Sequence, residues 1–231
     1  MIQKFTNLSV LATVFTAVCG LFAFSANAQT FSNPGAITIN ASGAATPSPS
    51  VINVLGGPAS VEIVSITLSN LSHTYPDDVD ILLVAPSGET LVLISDAGGA
   101  TDWTDQTFVI ADYGAAQLAD GALSPSGTYQ PTNWGTGDNW TGYAGPINNS
   151  APAGTATFAS VFAGVAADGN WALYIEDDLG GDQGTLNGGW SITFSAPTPG
   201  CTDITACNYD SAATEDDGTC VYPGCTDAGA G

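Results

Sequence analysis

Short runs of alternating apolar and polar residues recur along the chain and predict β-strands. Residues 79–85 are almost entirely apolar, as expected for a central strand buried on both faces. Turns rich in Gly, Asp and Asn separate the runs, and no stretch keeps a helical period. We therefore predict an all-β protein built as a two-layer sandwich. The predicted strands lie at residues 36–40, 79–85, 90–94, 107–111, 155–162, 171–175 and 190–194.

The first 28 residues have a different pattern. Lys4 precedes an apolar run at residues 8–24, and the segment ends in Ala26-Asn27-Ala28. A basic start, a short apolar core and an A-x-A end predict a secretory signal peptide at residues 1–28, cleaved after Ala28. No other segment approaches the roughly 20 apolar residues that cross a bilayer. We therefore expect a secreted or cell-surface protein without a membrane span.

The remaining chain divides into three parts by composition. Residues 29–54 are rich in Ala, Ser, Pro and Gly and predict an exposed lead-in with one short strand. Residues 55–196 carry the strand signals and are long enough to bury their own core. Within them, residues 122–153 predict a long ordered loop, and such loops are often functional. Residues 197–231 form a tail that contains all the cysteines outside the leader.

The tail contains a repeat and a set of disulfide candidates. The sequence PGCTD begins at Pro199 and again at Pro223, and the second copy ends after a few residues. This predicts a truncated tandem repeat of 24 residues. In an exported chain the four cysteines predict a small disulfide-rich unit, and three pairings remain open. These cysteines are Cys201, Cys207, Cys220 and Cys225.

The charge of the chain excludes two classes of partner. Lys4 is the only Lys or Arg, whereas the chain has 22 Asp and Glu residues. Binding to nucleic acid or anionic lipid depends on cationic side chains that neutralise phosphates, so we expect neither partner. The carboxylates either form a solvated surface or are held together by calcium, and only local clustering can decide between these interpretations.

Carboxylates cluster around two turns and suggest calcium ligands. Calcium takes about six to eight oxygen ligands, which close-set Asp residues in Gly-rich turns provide. We predict calcium ligands centred on Asp177 and Asp182, with Asp78 and Asp112 as further ligands beside them. Alternation along a strand would place Asp78 on the same face as Asp80. The alternative is that these side chains only accept hydrogen bonds from turn amides.

The sequence offers little for catalysis. His73 is the only histidine, and a Ser-His-Asp arrangement needs a nucleophile and an orienting carboxylate within its reach. The printed sequence has no G-x-S-x-G motif, so we predict that the chain is not an enzyme. Aromatic residues in the long loops either stack on sugar rings or fix the loops to the sandwich. They are Trp103, Trp134, Trp140, Tyr129 and Tyr143.

Three ordered blocks of sequence resemble the P domain, also called Homo B, of proprotein convertases and many secreted bacterial proteins. They read HTYPDDVDILLVAPSG from His73, SGTYQPTNW from Ser126 and GNWALYIEDDLGGDQGTLNGGWSITF from Gly169. The resemblance implies a jelly-roll sandwich over residues 55–196. The tail is similar to Cys- and Asp-rich tandem repeats at the ends of secreted marine bacterial proteins. The positions that match the P-domain pattern are His73, Asp78, Ile81, Leu83, Pro86, Gly88, Gly169, Trp171, Leu173, Asp177, Gly181, Asp182, Gly184, Leu186 and Trp190.

The resemblance implies a non-catalytic secreted or surface module that stabilises or binds another molecule. One alternative is a part of a secreted subtilisin-like serine protease, or another peptidase, whose P domain assists the catalytic domain. The printed sequence lacks the Asp-Thr-Gly, His-Gly-Thr and Gly-Thr-Ser motifs of the subtilisin-type domain. A second alternative is a carbohydrate-binding or adhesion module. The partner would be a protein domain on the same polypeptide or a surface glycan.

Overall fold

Fourteen β-strands and one short α-helix make up the secondary structure in the described part of the chain, together with a 3₁₀ helix at Pro76–Asp78. The computed structural model describes residues 28–61, 63–148, 155–195, 198–213 and 215–222. The helix α1 is Phe158–Phe162. The strands are β1 Gln29–Asn33, β2 Ile37–Ile39, β3 Gly43–Ala44, β4 Ser50–Val54, β5 Ile63–His73, β6 Val79–Val84, β7 Thr90–Ile94, β8 Trp103–Ala111, β9 Gly127–Tyr129, β10 Gly169–Asp177, β11 Gly184–Leu186, β12 Trp190–Ser195, β13 Pro199–Gly200 and β14 Glu215–Asp216.

The strands β1–β12 form two sheets. In the first sheet the order is β1-β12-β5-β11-β2, and β8 pairs with both β5 and β9. In the second sheet the order is β3-β10-β6-β7, and β4 also pairs with β10. All these pairs are antiparallel except β8 with β9. The structure confirms the predicted all-β sandwich.

The core lies between the two sheets and is rich in aromatic rings. Trp171 is fully buried, and its ring centroid lies 5.4 Å from that of Phe162 and 5.3 Å from that of Phe194. Aliphatic residues from both sheets, such as Ile66 and Leu83, complete this cluster. Burial alternates along strands such as β12, whose residues are buried at every second position. This is the period that places one face of a strand on the core.

The exposed lead-in predicted for residues 29–54 is wrong. This segment contributes β1–β4, of which β1 and β2 belong to the first sheet and β3 and β4 to the second. Its residues Ile37, Ile39, Ile52 and Val54 are all buried in the core. The small polar residues between these strands occupy turns, so the composition hid strands of two to five residues. The sandwich therefore begins at Gln29.

The strand predicted at residues 155–162 is also wrong, because the segment forms α1. Thr157 accepts a hydrogen bond from the Ser160 amide and forms a capping box with that residue. The Asp112 carboxylate accepts hydrogen bonds from the amides of Phe158 and Ala159, at 2.7 and 2.8 Å. These acceptors satisfy the free amides of the first helical turn. Phe158 and Phe162, four residues apart, then share one buried face of the helix.

A loop covers the outer face of the second sheet. We call residues 131–148 the covering loop. Its Trp140 packs with Leu82 of β6 and Val92 of β7 in a second apolar cluster. Leu82 lies on the face of β6 opposite the core residues Ile81 and Leu83, as the alternation of a strand requires. The sheet is thus buried on both faces at β6.

One of the two disulfides predicted in the tail is present in the structure. Cys201 and Cys220 form a disulfide, and β13, directly before Cys201, pairs in parallel with β14. Cys207 is exposed and forms no disulfide with another described cysteine, and Cys225 lies outside the described residues. A second bridge therefore stays a prediction. Among the helices of the described ranges, none is long and apolar enough to cross a membrane.

Candidate metal centre

His73 ends β5 and is buried, with 1% of its surface exposed. Its Nδ1 atom lies 2.8 Å from the carbonyl oxygen of Tyr75, and its Nε2 atom lies 3.2 Å from Asp177 Oδ2. Both ring nitrogens are therefore used inside the fold. The two partners are a main-chain carbonyl and a carboxylate, rather than the hydroxyl or thiol that a catalytic base must face.

Three of the four predicted calcium ligands, Asp177, Asp78 and Asp182, lie close to one another, and Asp177 contacts His73. Asp177 is fully buried, and its Oδ1 atom has no hydrogen-bond partner in the described chain. Burial and the Asp177 carboxylate raise the pKa of Asp78 to about 6. Asp182 contributes further negative charge there and accepts a hydrogen bond from Thr74 Oγ1 at 3.1 Å. Their role as calcium ligands stays a prediction.

The fourth predicted ligand, Asp112, lies at the other end of the first sheet. Strand β8 pairs Trp103 with His73 at one end and Ala111 with Ser65 at the other. At roughly 3.3 Å per residue, Asp112 is about 30 Å along the strand from Trp103, the residue opposite His73. Its carboxylate caps α1. The structure therefore does not bring Asp112 to the other three carboxylates.

Asp78 and Asp80 do not share a face of one strand, contrary to the sequence-based expectation. Pro76 opens a 3₁₀ helix that ends at Asp78, and β6 begins only at Val79. Strand alternation therefore does not apply between the two residues. The carboxylate that repels Asp78 most strongly is that of Asp177. The carboxylate that repels Asp80 most strongly is that of Asp138 in the covering loop.

Three other carboxylates converge where the covering loop meets the second sheet. Asp80 comes from β6, Asp96 follows β7 and Asp138 comes from the loop. Each offers one oxygen, and these atoms all lie within 4.8 Å of one another. Burial, together with the Asp138 carboxylate, raises the pKa of Asp80 to about 9. Burial and the Asp96 carboxylate also raise the pKa of Asp138.

Sequence reasoning missed most of this group. The sequence places Asp80 in the candidate carboxylate cluster with Asp77 and Asp78, but it does not predict Asp96 or Asp138 as ligands. A charged residue within the otherwise apolar strand at residues 79–85 was the one available signal. Asp96 and Asp138 lie 16 and 58 residues further along the chain, in turns that resemble many other turns of this sequence. Only the folded chain brings them to Asp80.

The aromatic residues predicted in loops all pack against the sandwich, and two of them, Trp103 of β8 and Tyr129 of β9, lie in strands. Trp103 and Trp140 are buried, and Trp134 donates its indole N–H to the Leu118 carbonyl at 2.9 Å. The Tyr143 ring centroid lies 5.6 Å from that of Tyr174 on β10. Tyr129 packs against the core. Because these rings are turned toward the protein, they do not form an exposed platform for sugar rings.

The fold and these sites define a two-sheet β-sandwich with an acidic end and a disulfide-containing tail. Residues 61–130 match the family model described as the proprotein convertase P-domain. This match confirms the resemblance over that region, which contains strands β5–β9. The similarity of the tail to repeats of marine bacteria stays a prediction. No curated protein sequence matches the chain significantly.

Two solved structures are similar over part of their length. One is a serine protease of Aeromonas sobria, with 16% identity and a TM-score of 0.32. The other is the complex of that protease with the chaperone ORF2, with 15% identity and a TM-score of 0.34. Each comparison covers 73% of this chain and 26% of the other chain. The present chain thus spans about a quarter of the length of these proteins.

Proposed function

We propose that this chain is a non-catalytic, exported module, in which a sandwich similar to a P domain stabilises or binds another protein domain. The observation that carries this proposal is the state of His73, whose two nitrogens are both held by internal partners. Since it is the only histidine of the sequence, no second imidazole is available as a general base.

The match of residues 61–130 to the P-domain model favours a partner from the peptidase class. In this proposal the partner is a catalytic domain on the same full-length polypeptide, and the sandwich contributes stability or contact surface rather than chemistry. The near absence of basic side chains supports a protein partner over nucleic acid or anionic lipid.

We expect the purified chain to hydrolyse no peptide bond. The reason is that no hydroxyl or thiol faces the buried imidazole of His73 within the described ranges, so a proton cannot be removed from a nucleophile there. The measurement is cleavage of unstructured protein substrates and fluorogenic peptides, with and without a serine-directed inhibitor.

Turnover that disappears in a His73→Ala variant would overturn this proposal. Because His73 is buried, that variant also loses packing, so Ile66→Ala is the matched control. Ile66 lies in the same strand and is buried in the core, but its aliphatic side chain can take no part in proton transfer. Activity lost in both variants would report unfolding, whereas activity lost only with His73 would assign chemistry to it.

We also expect export with cleavage between Ala28 and Gln29. Ala26 and Ala28 occupy the small-residue positions that signal peptidase reads. Strand β1 begins at Gln29 and pairs with β12 from its first residue, so cleavage there leaves the sandwich whole. Intact-mass spectrometry of the protein from the culture medium measures the site. A mature protein that still carries residues 8–24 would contradict the prediction.

A further inference from the structure

The three converging carboxylates have the spacing of ligands around one ion. Calcium binds oxygen at about 2.3–2.6 Å, so two ligand atoms of the same ion lie at most about 5 Å apart. The oxygens of Asp80, Asp96 and Asp138 all lie within 4.8 Å of one another. They come from three separate elements, namely β6, the residue pair after β7 and the covering loop.

A second observation points to a ligand. Asp80 is 2% exposed, and its Oδ2 atom is buried without a hydrogen-bond partner in the described chain. Ser95 is the nearby donor, and its hydroxyl lies 2.8 Å from Asp96 Oδ2 and 3.2 Å from Asp138 Oδ2. One hydroxyl has one proton, so it satisfies only one oxygen of the group. A buried carboxylate oxygen without a partner is costly, and a bound cation removes that cost.

No Lys or Arg lies in the described residues to offset this charge. Lys4, in the leader, is the only Lys or Arg in the sequence, and His73 is held by Asp177. Asp178 is a fourth carboxylate near Asp96 and Asp138, and its negative charge increases the repulsion within this group. The group must therefore take up protons or a cation from solution.

The covering loop is also attached to the sheet beside this group. Glu176 of β10 lies opposite Asp80 in the antiparallel pair of β10 and β6. Its carboxylate accepts hydrogen bonds from the amide and the hydroxyl of Thr141, the amide contact being 2.9 Å. The Asp96 carboxylate lies directly against Gly135, where a Cβ would be 1.7 Å from Asp96 Oδ2. An ion at Asp138 would add a further link between this loop and the sheet.

We propose that Asp80, Asp96 and Asp138 bind calcium, and that the ion fastens the covering loop to the outer face of the second sheet. A set of carboxylate oxygens selects a hard cation. Calcium accepts a variable number and arrangement of oxygen ligands, whereas magnesium requires a strict octahedron, so calcium is the cation expected here. The site is separate from the predicted ligands at Asp177 and Asp182, and it does not depend on the function proposed above.

The test uses the full chain without its leader, and calcium chloride alone as the probe. Calorimetric titration and thermal unfolding compare calcium, magnesium and a chelator at matched ionic strength. At a calcium concentration one hundred times Kd, we expect the melting temperature to rise by roughly 5–10 °C. Magnesium should give a smaller shift. No heat of binding and equal melting with calcium and chelator would overturn the proposal.

Variants locate the site. Asp138→Asn, in the loop and only half-buried, should weaken calcium binding about tenfold or more without unfolding the sandwich. Asp182→Asn is the matched control, since it removes one charge from the other acidic group. If Asp182→Asn abolishes binding and Asp138→Asn does not, the ion is at the sequence-predicted ligands and the present proposal is wrong.

Asp80→Asn provides a readout that a purely structural carboxylate would not give. We expect this variant to melt at a higher temperature than the wild type in chelator and to show no response to calcium. Calcium should also slow hydrogen exchange at the Thr141 amide in the wild type but not in Asp138→Asn. An Asp80→Asn variant that is destabilised in chelator and still responds to calcium would refute the site.

Discussion

Replacing Trp171 with alanine is expected to lower the free energy of unfolding by about 3–5 kcal/mol, the range for loss of a large buried ring. The side chain is fully buried between Phe162 and Phe194, and its indole N–H donates to the Ala167 carbonyl at 2.8 Å. The substitution removes the ring contacts and leaves that buried carbonyl without its donor. Urea unfolding followed by circular dichroism measures the change.

Two controls separate the contributions at Trp171. Trp171→Phe keeps a ring in the cluster but loses the donor, so we expect a smaller cost of about 1–3 kcal/mol. Tyr113→Ala removes an aromatic ring that is 64% exposed and should change stability by less than about 0.5 kcal/mol. If Trp171→Ala costs no more than Tyr113→Ala, the indole of Trp171 is not packed between the two sheets.

Reduction of the Cys201–Cys220 disulfide should loosen the tail and leave unfolding of the sandwich unchanged. The bridge closes a loop with a sequence separation of 19 residues, which contributes roughly 3 kcal/mol by chain entropy. A segment of this length cannot bury a sufficient core without such a link. Residues 29–195 contain no cysteine, so the reductant has no target in the sandwich.

Hydrogen exchange resolves the two parts in one experiment. Amides held by tail contacts, such as Asp210 N to Cys201 O at 2.9 Å, should lose protection after reduction. The Ile192 amide in β12 should keep its protection. A Cys201→Ser, Cys220→Ser double variant should reproduce the effect without reductant. A large fall in the main melting transition would contradict the independence of the tail.

The fold class was determined by the sequence itself. Alternation at period two marks a half-buried strand wherever it occurs, because the side chains of a strand point to opposite faces. The strands at residues 90–94 and 190–194 were predicted closely from this signal, and the structure extends the second by one residue. The glycine-rich turns and the absence of a helical period excluded the helical classes of fold.

Tertiary contacts decided the elements in which the local signal was ambiguous. The segment at residues 155–162 alternates like a strand, but α1 forms there because the Asp112 carboxylate supplies acceptors for its first amides. Residues 29–54 lack a sustained apolar run, yet β1–β4 form because sheet edges of β10, β11 and β12 are available to pair with them.

At the acidic sites, too, the sequence determined one part of the result and the tertiary structure decided the other. Composition and charge established from the sequence that carboxylates greatly outnumber cations, so that any buried group of them requires protons or a metal. Which carboxylates meet was decided only by the tertiary structure. Asp80, Asp96 and Asp138 are brought together by the pairing of β6 with β7 and by the packing of the covering loop on that sheet. Such long-range contacts leave no local periodicity, because periodicity reports the face of an element and not its partner.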